Sequence, residues 1–166
     1  MTRRHLILSL MITMAACYPT TTRPALLPLA GSNVMEWELS VRDATHELAL
    51  ALDADSIPVS RTEAADGWLE TDWFDAVTLR PTTRRPLGEG IVRVRAWADP
   101  SQPNHTSVTV ETVYRPFVDP SRDDRSLDRV VVPNHPVALR VATVLARLSK
   151  KYGEQVDSVV SPIKKP

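Results

Sequence analysis

The only cysteine of the 166-residue chain, Cys17, directly follows an apolar run over residues 6–16. Two arginines precede the run, and the small side chains of Ala15 and Ala16 come just before the thiol. A basic segment, a short apolar segment and small residues at its end are typical of a cleaved signal peptide. The run has about half of the roughly 20 residues that a helix needs to cross a bilayer. We therefore predict a signal peptide over residues 1–16.

A single thiol cannot form a disulfide within its own chain, so a role that needs only one thiol is favoured for Cys17. Three roles remain open on the residues alone. The thiol accepts a lipid, or it stays unmodified after an ordinary secretory cleavage, or it is a small buried side chain. Of these, we predict lipidation.

The residues Met14-Ala15-Ala16-Cys17 resemble the lipobox of bacterial lipoproteins, with Met14 where Leu or Val is usual. The resemblance implies that Cys17 receives a diacylglycerol and that a dedicated peptidase then cuts before it. Acyl chains such as palmitate add about 0.8 kcal/mol of membrane affinity for each buried CH₂, and two or more chains anchor a protein stably. The implied location is the bacterial envelope, facing the periplasm. Tyr18 is not the aspartate associated with inner-membrane retention, so the resemblance favours the outer membrane.

Other residues that could perform chemistry do not form a recognisable site. His46, His105 and His135 lie in different predicted elements and at no metal-ligand spacing, so we predict neither a metal site nor a cofactor. The acidic residues at positions 66, 70, 72 and 75 could supply a catalytic carboxylate pair, but Arg93 and Arg95 are expected beside them, as on a solvated charged face. No nucleophile elbow or glycine-rich phosphate loop is present. We predict that the protein is not an enzyme.

The charge balance excludes one class of partner. The chain has 20 basic and 20 acidic residues, and we find no basic stripe of the kind that nucleic-acid binding requires. We therefore expect no nucleic-acid partner.

The composition divides the chain into segments. Residues 17–33 are rich in proline and threonine and predict an extended tether, although Leu26 and Leu29 could instead contact the domain. Residues 34–153 form the predicted domain, in which the polar residues 119–133 are expected to be a mobile surface loop. Residues 154–166 are a predicted flexible tail.

The hydrophobic periodicity predicts two helices and an antiparallel sheet. Ser40 is a candidate N-cap for the first helix, and Pro136 opens the second, whose apolar stripe runs from Val137 to Tyr152. Alternating segments between the helices predict hairpin-connected strands. The expected fold is α+β, a two-layer domain with four to five strands, two helices on one face and the order (β)αββββα.

Strand alternation assigns side chains to the two faces of this sheet. Leu69, Thr71 and Trp73 are expected on the helix-covered face. The other face is expected to carry a possible partner surface made of Trp68, Phe74, Arg93, Arg95 and Trp97, because exposed aromatic residues among charges can mark a binding site. Alternatively, the tether or residues 119–133 cover these aromatics.

The segment Gly67-x-x-x-Thr71-x-Trp73, between a first helix and a hairpin sheet, resembles the small helix-grip lipoprotein domains. The C-component lipoprotein of the outer-membrane β-barrel assembly machinery is an example of that group. The resemblance implies a periplasmic, membrane-anchored module without enzymatic activity, and it transfers no functional residue.

Two hypotheses of function follow. The first is a lipid-anchored binding or scaffold domain whose partner is an envelope protein. The second is a carrier of a small apolar ligand, held between the C-terminal helix and the sheet in a cavity lined by Val94, Val141 and Leu145. An enzyme has no positive support in the sequence.

Overall fold

The computed structural model describes residues 23–153, so the predicted signal peptide, Cys17 and the tail at 154–166 lie outside the described residues. The described part contains three α-helices, seven strands in antiparallel pairs and one 3-10 turn at Ala64–Asp66. The α+β class is confirmed, with seven strands in place of the four to five predicted. In chain order the elements are β1 (Asn33–Trp37), α1 (Val41–Ala54), β2 (Val59–Glu63), β3 (Trp68–Thr71), β4 (Phe74–Asp75), β5 (Ile91–Gln102), β6 (His105–Tyr114), α2 (Asp124–Leu127), β7 (Arg129–Val130) and α3 (Pro136–Tyr152).

The first helix begins where its cap predicts. The Ser40 Oγ accepts a hydrogen bond of 3.1 Å from the backbone N–H of Asp43, which satisfies one of the free donors of the first turn. Ala44, Leu48 and Leu52 recur at helical spacing and are all buried. This spacing turns one apolar stripe of α1 toward the sheet.

The long C-terminal helix is also capped by a side chain. His135 Nδ1 accepts a 3.2 Å hydrogen bond from the N–H of Val137, while its Nε2 lies 3.1 Å from the carbonyl oxygen of Glu89 and therefore carries the proton. Pro136 occupies the first turn, where a missing N–H costs nothing. The helix buries Val137, Val141, Val144, Leu145 and Leu148.

The two longest strands, β5 and β6, form the central hairpin of the sheet. The strand order is β1-β6-β5-β3-β2, and the short strands β4 and β7 pair with β5 and β6 respectively. Helices α1 and α3 cover one face, where their apolar stripes meet Val92, Val94 and Ala96 of β5 and Val108 and Val110 of β6. The hydrophobic core lies in this helix–sheet layer.

The helix–sheet layer buries the residues that were expected to line a ligand cavity. Val94, Val141 and Leu145 are at most 2% exposed. Beside Leu48 and Leu69, the space between α1 and the sheet is too small to hold a water molecule. Such packing resembles an ordinary protein interior. It argues against a small apolar ligand carried in this layer.

The strand alternation shifts by one residue after β3, which corrects two predictions. Glu70 pairs with Arg95, but Phe74 pairs with Val92. The chain therefore advances four residues from β3 to β4 while β5 advances three, so one extra residue is inserted between β3 and β4. Phe74 therefore turns to the helix side, where it is fully buried, and Trp73 turns to the opposite face. The predictions of Trp73 in the helix-side core and of Phe74 on the other face are wrong, because an inserted residue exchanges the faces of all later side chains.

Candidate binding site on the second sheet face

The sheet face opposite the helices, called the second face below, carries charged and aromatic side chains. Its members alternate along β5 and β6 with the residues of the helix-side core, as the sequence predicted for Arg93 and Arg95. The main ones are Trp68, Arg93, Arg95, Trp97, Thr109, Glu111 and Val113.

The predicted tether contacts this face. The Arg23 guanidinium donates hydrogen bonds to the carbonyl oxygen of Ala98 at 3.1 Å and to Asp99 Oδ1 at 2.7 Å. Further along, the N–H of Leu29 donates to Glu111 Oε1 at 2.8 Å. Hydrogen bonds near both ends of residues 23–32 therefore hold this segment against the domain. This agrees with the alternative prediction, in which the segment contacts the sheet and is not an extended tether.

The segment predicted to be a surface loop also contributes to the cover. Arg125 of α2 forms an ion pair with both oxygens of Glu111 and donates a 2.8 Å hydrogen bond to the carbonyl oxygen of Leu27. Leu127 is fully buried, as is Asp128. The prediction of a surface loop is wrong for this half of residues 119–133, because a buried leucine and a buried carboxylate fix α2 and β7 against the second face.

The two tryptophans of the predicted partner surface are inside the protein. The rings of Trp68 and Trp97 stack with their centroids 6.4 Å apart, and the residues are 1% and 4% exposed. With Phe74 on the helix side, the expected exposed surface of Trp68, Phe74 and Trp97 is absent from the described structure. Large aromatic rings gain much free energy from burial.

A buried carboxylate organises the arginines of the second face. The Asp128 side chain has no exposed surface, and its two oxygens accept hydrogen bonds from Arg95 Nη1 at 2.6 Å and Arg115 Nε at 2.8 Å. Arg115 also forms an ion pair of 3.0 Å with the exposed Asp124. Both guanidinium groups are thus fixed by charge-assisted hydrogen bonds.

Arg93 lies beside this cluster but is bonded differently. Its nearest carboxylate oxygen, on Glu70, is 3.8 Å from Nη1, beyond hydrogen-bonding distance, and Glu70 is also 4.0 Å from Arg95. The Arg93 Nε is buried and has no hydrogen-bond partner in the described chain. Burial, together with the neighbouring charge of Arg95, lowers the pKa of the Arg93 guanidinium from its ordinary value.

Trp73 provides a flat surface for these cations. The guanidinium carbons of Arg93 and Arg115 lie 4.9 Å and 5.1 Å from the centroid of its ring. At such distances the ring quadrupole attracts a cation by about 0.5–2 kcal/mol. Trp73 is half-buried, and one of its edges lines an open pocket of about 280 Å³ formed with Asp72, Pro81, Thr82, Thr83 and Arg93.

The wall of this pocket is built by a fixed turn. The Asp75 carboxylate accepts hydrogen bonds from the N–H groups of Val77 and Thr78, at 3.1 Å and 2.9 Å. These bonds lower the pKa of Asp75, that from Thr78 the most. After this turn the chain runs back beside Trp73, and the N–H of Thr82 donates a 2.9 Å hydrogen bond to the carbonyl oxygen of Trp73. The threonines are held at the pocket rim in this way.

The other candidate residues have structural roles. His46 is exposed on α1, His105 contacts its own turn and His135 caps α3. Among the acidic residues, Asp75 caps the turn and Glu70 faces the arginines. Within residues 23–153 there is no group of three or more histidine, cysteine, aspartate or glutamate side chains that could hold a metal ion.

The three residues that define the Gly67-x-x-x-Thr71-x-Trp73 segment have separate physical functions. Gly67 has a φ of 65°, and a Cβ there would lie 2.4 Å from the Ala98 carbonyl oxygen, so only glycine fits. The Thr71 Oγ1 accepts a 3.0 Å hydrogen bond from the N–H of Val94 at the irregularity in the sheet. The first two residues thus shape the sheet, and the third forms part of the pocket.

Sequence reasoning missed Trp73, Arg115 and Asp128 as members of the site. A usable signal existed for Asp128, which follows Leu127, the one large apolar residue of residues 119–129. None existed for Trp73, because its face depends on an extra residue that alternation does not reveal.

No protein-family model matches the chain, and no curated protein matches it either. No helix in residues 23–153 combines the length and the apolar character that crossing a membrane requires.

Proposed function

We propose that the protein is a lipid-anchored lipoprotein of the bacterial envelope whose domain acts by binding and not by catalysis. The observation that carries the proposal is the spacing between Cys17 and Arg23, the first described residue, which is already bonded to the domain. At about 3.3–3.6 Å per residue, the six intervening steps reach about 20 Å at most.

This spacing favours a role at the membrane surface. A lipid at Cys17 holds the domain within about 20 Å of the bilayer, because residues 23–32 are occupied by contacts with the second face and add no reach. The domain then works as a membrane-proximal scaffold for an envelope partner, on the periplasmic side, with the outer membrane preferred.

The binding role is supported by the second face. Its half-buried Arg93 has no hydrogen-bonded partner among the described residues and lines an open pocket, and such an unsatisfied group is more typical of a recognition site than of a packed interior. The carrier hypothesis has weaker support, because the helix–sheet layer is closely packed around Val94, Val141 and Leu145.

The anchor is tested by expressing the full chain in a bacterial host and separating membranes from soluble protein. We expect the wild-type chain in the membrane fraction and Cys17→Ser in the soluble fraction. Incorporation of labelled palmitate should be lost with the same substitution. Met14→Leu, which supplies the usual lipobox residue, is the matched control and should remain membrane-bound. A Cys17→Ser chain that stays in membranes contradicts the proposal.

A further inference from the structure

We propose that the pocket beside Arg93 and Trp73 binds a carboxylate group. The inference deepens the proposed binding role and rests on it, but it does not depend on lipidation at Cys17. Three guanidinium groups, those of Arg93, Arg95 and Arg115, lie next to one another on the second face.

Arg93 is the one of these groups that makes no hydrogen bond within residues 23–153. Arg95 and Arg115 each bind one oxygen of Asp128, which uses both oxygens of that carboxylate. Arg93 donates no comparable bond, and its Nε is buried and unpartnered within residues 23–153. A buried donor without a partner costs about 1–3 kcal/mol, so it calls for an acceptor that residues 23–153 do not provide.

The charges around the pocket disfavour a dianion. The guanidinium groups of Arg93, Arg95 and Arg115 are matched by carboxylates, since Asp128 and Glu70 lie among them with 0% and 23% of the side chain exposed, and Asp124 pairs with Arg115. The exposed Asp72 also lines the pocket. The cluster therefore has no excess of positive charge, and Asp72 and Glu70 repel a doubly charged phosphate more strongly than a singly charged carboxylate.

The shape of the pocket suits the end of a larger molecule. Its volume of about 280 Å³ accommodates a small group, and it opens to solvent. The Thr82 Oγ1 accepts the N–H of Arg84 at 3.2 Å and so keeps its own proton to donate, and Thr83 adds a second hydroxyl at the rim. A guanidinium fork with nearby hydroxyls matches the two oxygens of a carboxylate.

The carboxylate group could belong to a free small molecule or to a peptide, as an acidic side chain or a C-terminus. The experiment below distinguishes the two. The peptide source is preferred because the open pocket leaves room for a chain to continue along the exposed residues Pro81 and Thr83. Trp73 offers an apolar surface to the atoms next to the carboxylate.

The experiment titrates the purified full chain, at constant ionic strength, with acetate, with a short peptide containing one glutamate, and with inorganic phosphate. The readout is the NMR signal of the Trp73 indole N–H, assigned with Trp73→Phe. We expect saturable shifts, with acetate in the millimolar range and the peptide at least tenfold tighter. Equal affinity for acetate and peptide overturns the peptide source, and phosphate binding as tight as acetate overturns the carboxylate assignment.

Two variants and a control locate the site. Arg93→Gln should weaken binding at least tenfold. Thr83→Tyr, at an exposed position, should block the pocket without disturbing Arg93, and it keeps the test valid if Arg93→Gln fails to fold. Arg84→Gln is the matched control, because this exposed arginine lies 3.9 Å from Asp75 and does not line the pocket. Saturable binding retained in Thr83→Tyr overturns the proposal.

The same titration of the Cys17→Ser chain separates the two proposals. If the variant binds the peptide but leaves the membrane, both proposals hold. Carboxylate binding without any role of Cys17 in membrane attachment contradicts only the anchor. Membrane attachment through Cys17 with no saturable binding contradicts only the pocket.

Discussion

The helix-covered face of the sheet is closed by aliphatic side chains from two helices, whereas the second face is closed by ion pairs, tryptophans and two short segments of chain. Leu48 and Val141 represent the first kind of cover, and Asp128 with Arg95 and Arg115 the second. Both faces exclude water from their central residues.

The two faces differ in how their covering layers are stabilised and in how well those layers tolerate substitutions. An aliphatic layer is stabilised roughly in proportion to the area it buries and tolerates moderate changes of shape. A layer of buried charges is stabilised only while every charge keeps its partner, because an unpaired buried ion is costly. Among the three arginines of the second face, Arg93 is the one that makes no hydrogen bond within residues 23–153.

The largest effect is expected from breaking the pairs on the second face. Asp128→Ala removes the one hydrogen-bonded partner that Arg95 has within residues 23–153 and leaves two buried guanidinium groups close together. Removing one partner of a buried ion pair costs about 3–5 kcal/mol, so we expect a loss of about 4 kcal/mol in the free energy of unfolding. Urea unfolding of the full chain measures it.

Asp128→Asn is the matched control for shape, since it keeps the volume and one acceptor oxygen. We expect it to lose a smaller free energy than Asp128→Ala. Equal stability of Asp128→Ala and the wild type would show that the arginine pairs do not hold this face together.

A smaller effect is expected from the helix-covered face. Leu48→Ala opens a cavity beneath α1, and such truncations cost about 2–5 kcal/mol, so we expect about 3 kcal/mol. Leu50→Ala, on the exposed side of the same helix, is the control and should change the unfolding free energy by less than about 0.5 kcal/mol. A large loss in Leu50→Ala would place the apolar stripe of α1 on the wrong side.

The two faces were also unequally predictable from the sequence. The helix-covered face follows from local patterns: the Ser40 cap and the stripe from Val137 to Leu148 fix the helices, and alternation along β5 fixes the residues they meet. These signals act over a few residues, and the structure agrees with them.

The second face depends on contacts between distant segments. Glu111 meets Leu29 and Arg125 across separations of 82 and 14 residues, and nothing local in the sequence specifies either contact. A charged segment such as 119–133 has the composition of a loop, and only its buried leucine and aspartate reveal a fixed position. Exposure of Trp68 and Trp97 could not be decided without knowing what covers them.

The smallest of the three expected effects is a change of the unfolding free energy with pH, which we expect for a substitution on the second face and not for one on the helix-covered face. Burial alone would raise the pKa of Glu111, but hydrogen bonds from Arg125, Leu29 and Ser32 outweigh it and hold that pKa below its ordinary value. A carboxyl with a lowered pKa in the folded state adds stability above the ordinary glutamate pKa of about 4.3, and this contribution is lost as the pH falls through the lowered value. Glu111→Gln cannot make this contribution.

We therefore expect Glu111→Gln to be less stable than the wild type by about 2 kcal/mol at pH 7, through lost charge-assisted hydrogen bonds, and the difference to shrink as the pH falls below about 4. Unfolding free energies measured from pH 7 to pH 3 test this. Other carboxyls with lowered pKa values, such as Asp75 and Asp119, are present in both chains, so their contributions cancel in the difference. Leu48→Ala is the comparison from the helix-covered face, and its loss of stability should be the same at every pH because it involves no titrating group. A difference between wild type and Glu111→Gln that stays constant with pH would mean that Glu111 does not hold residues 23–32 to the second face as an ionised carboxylate.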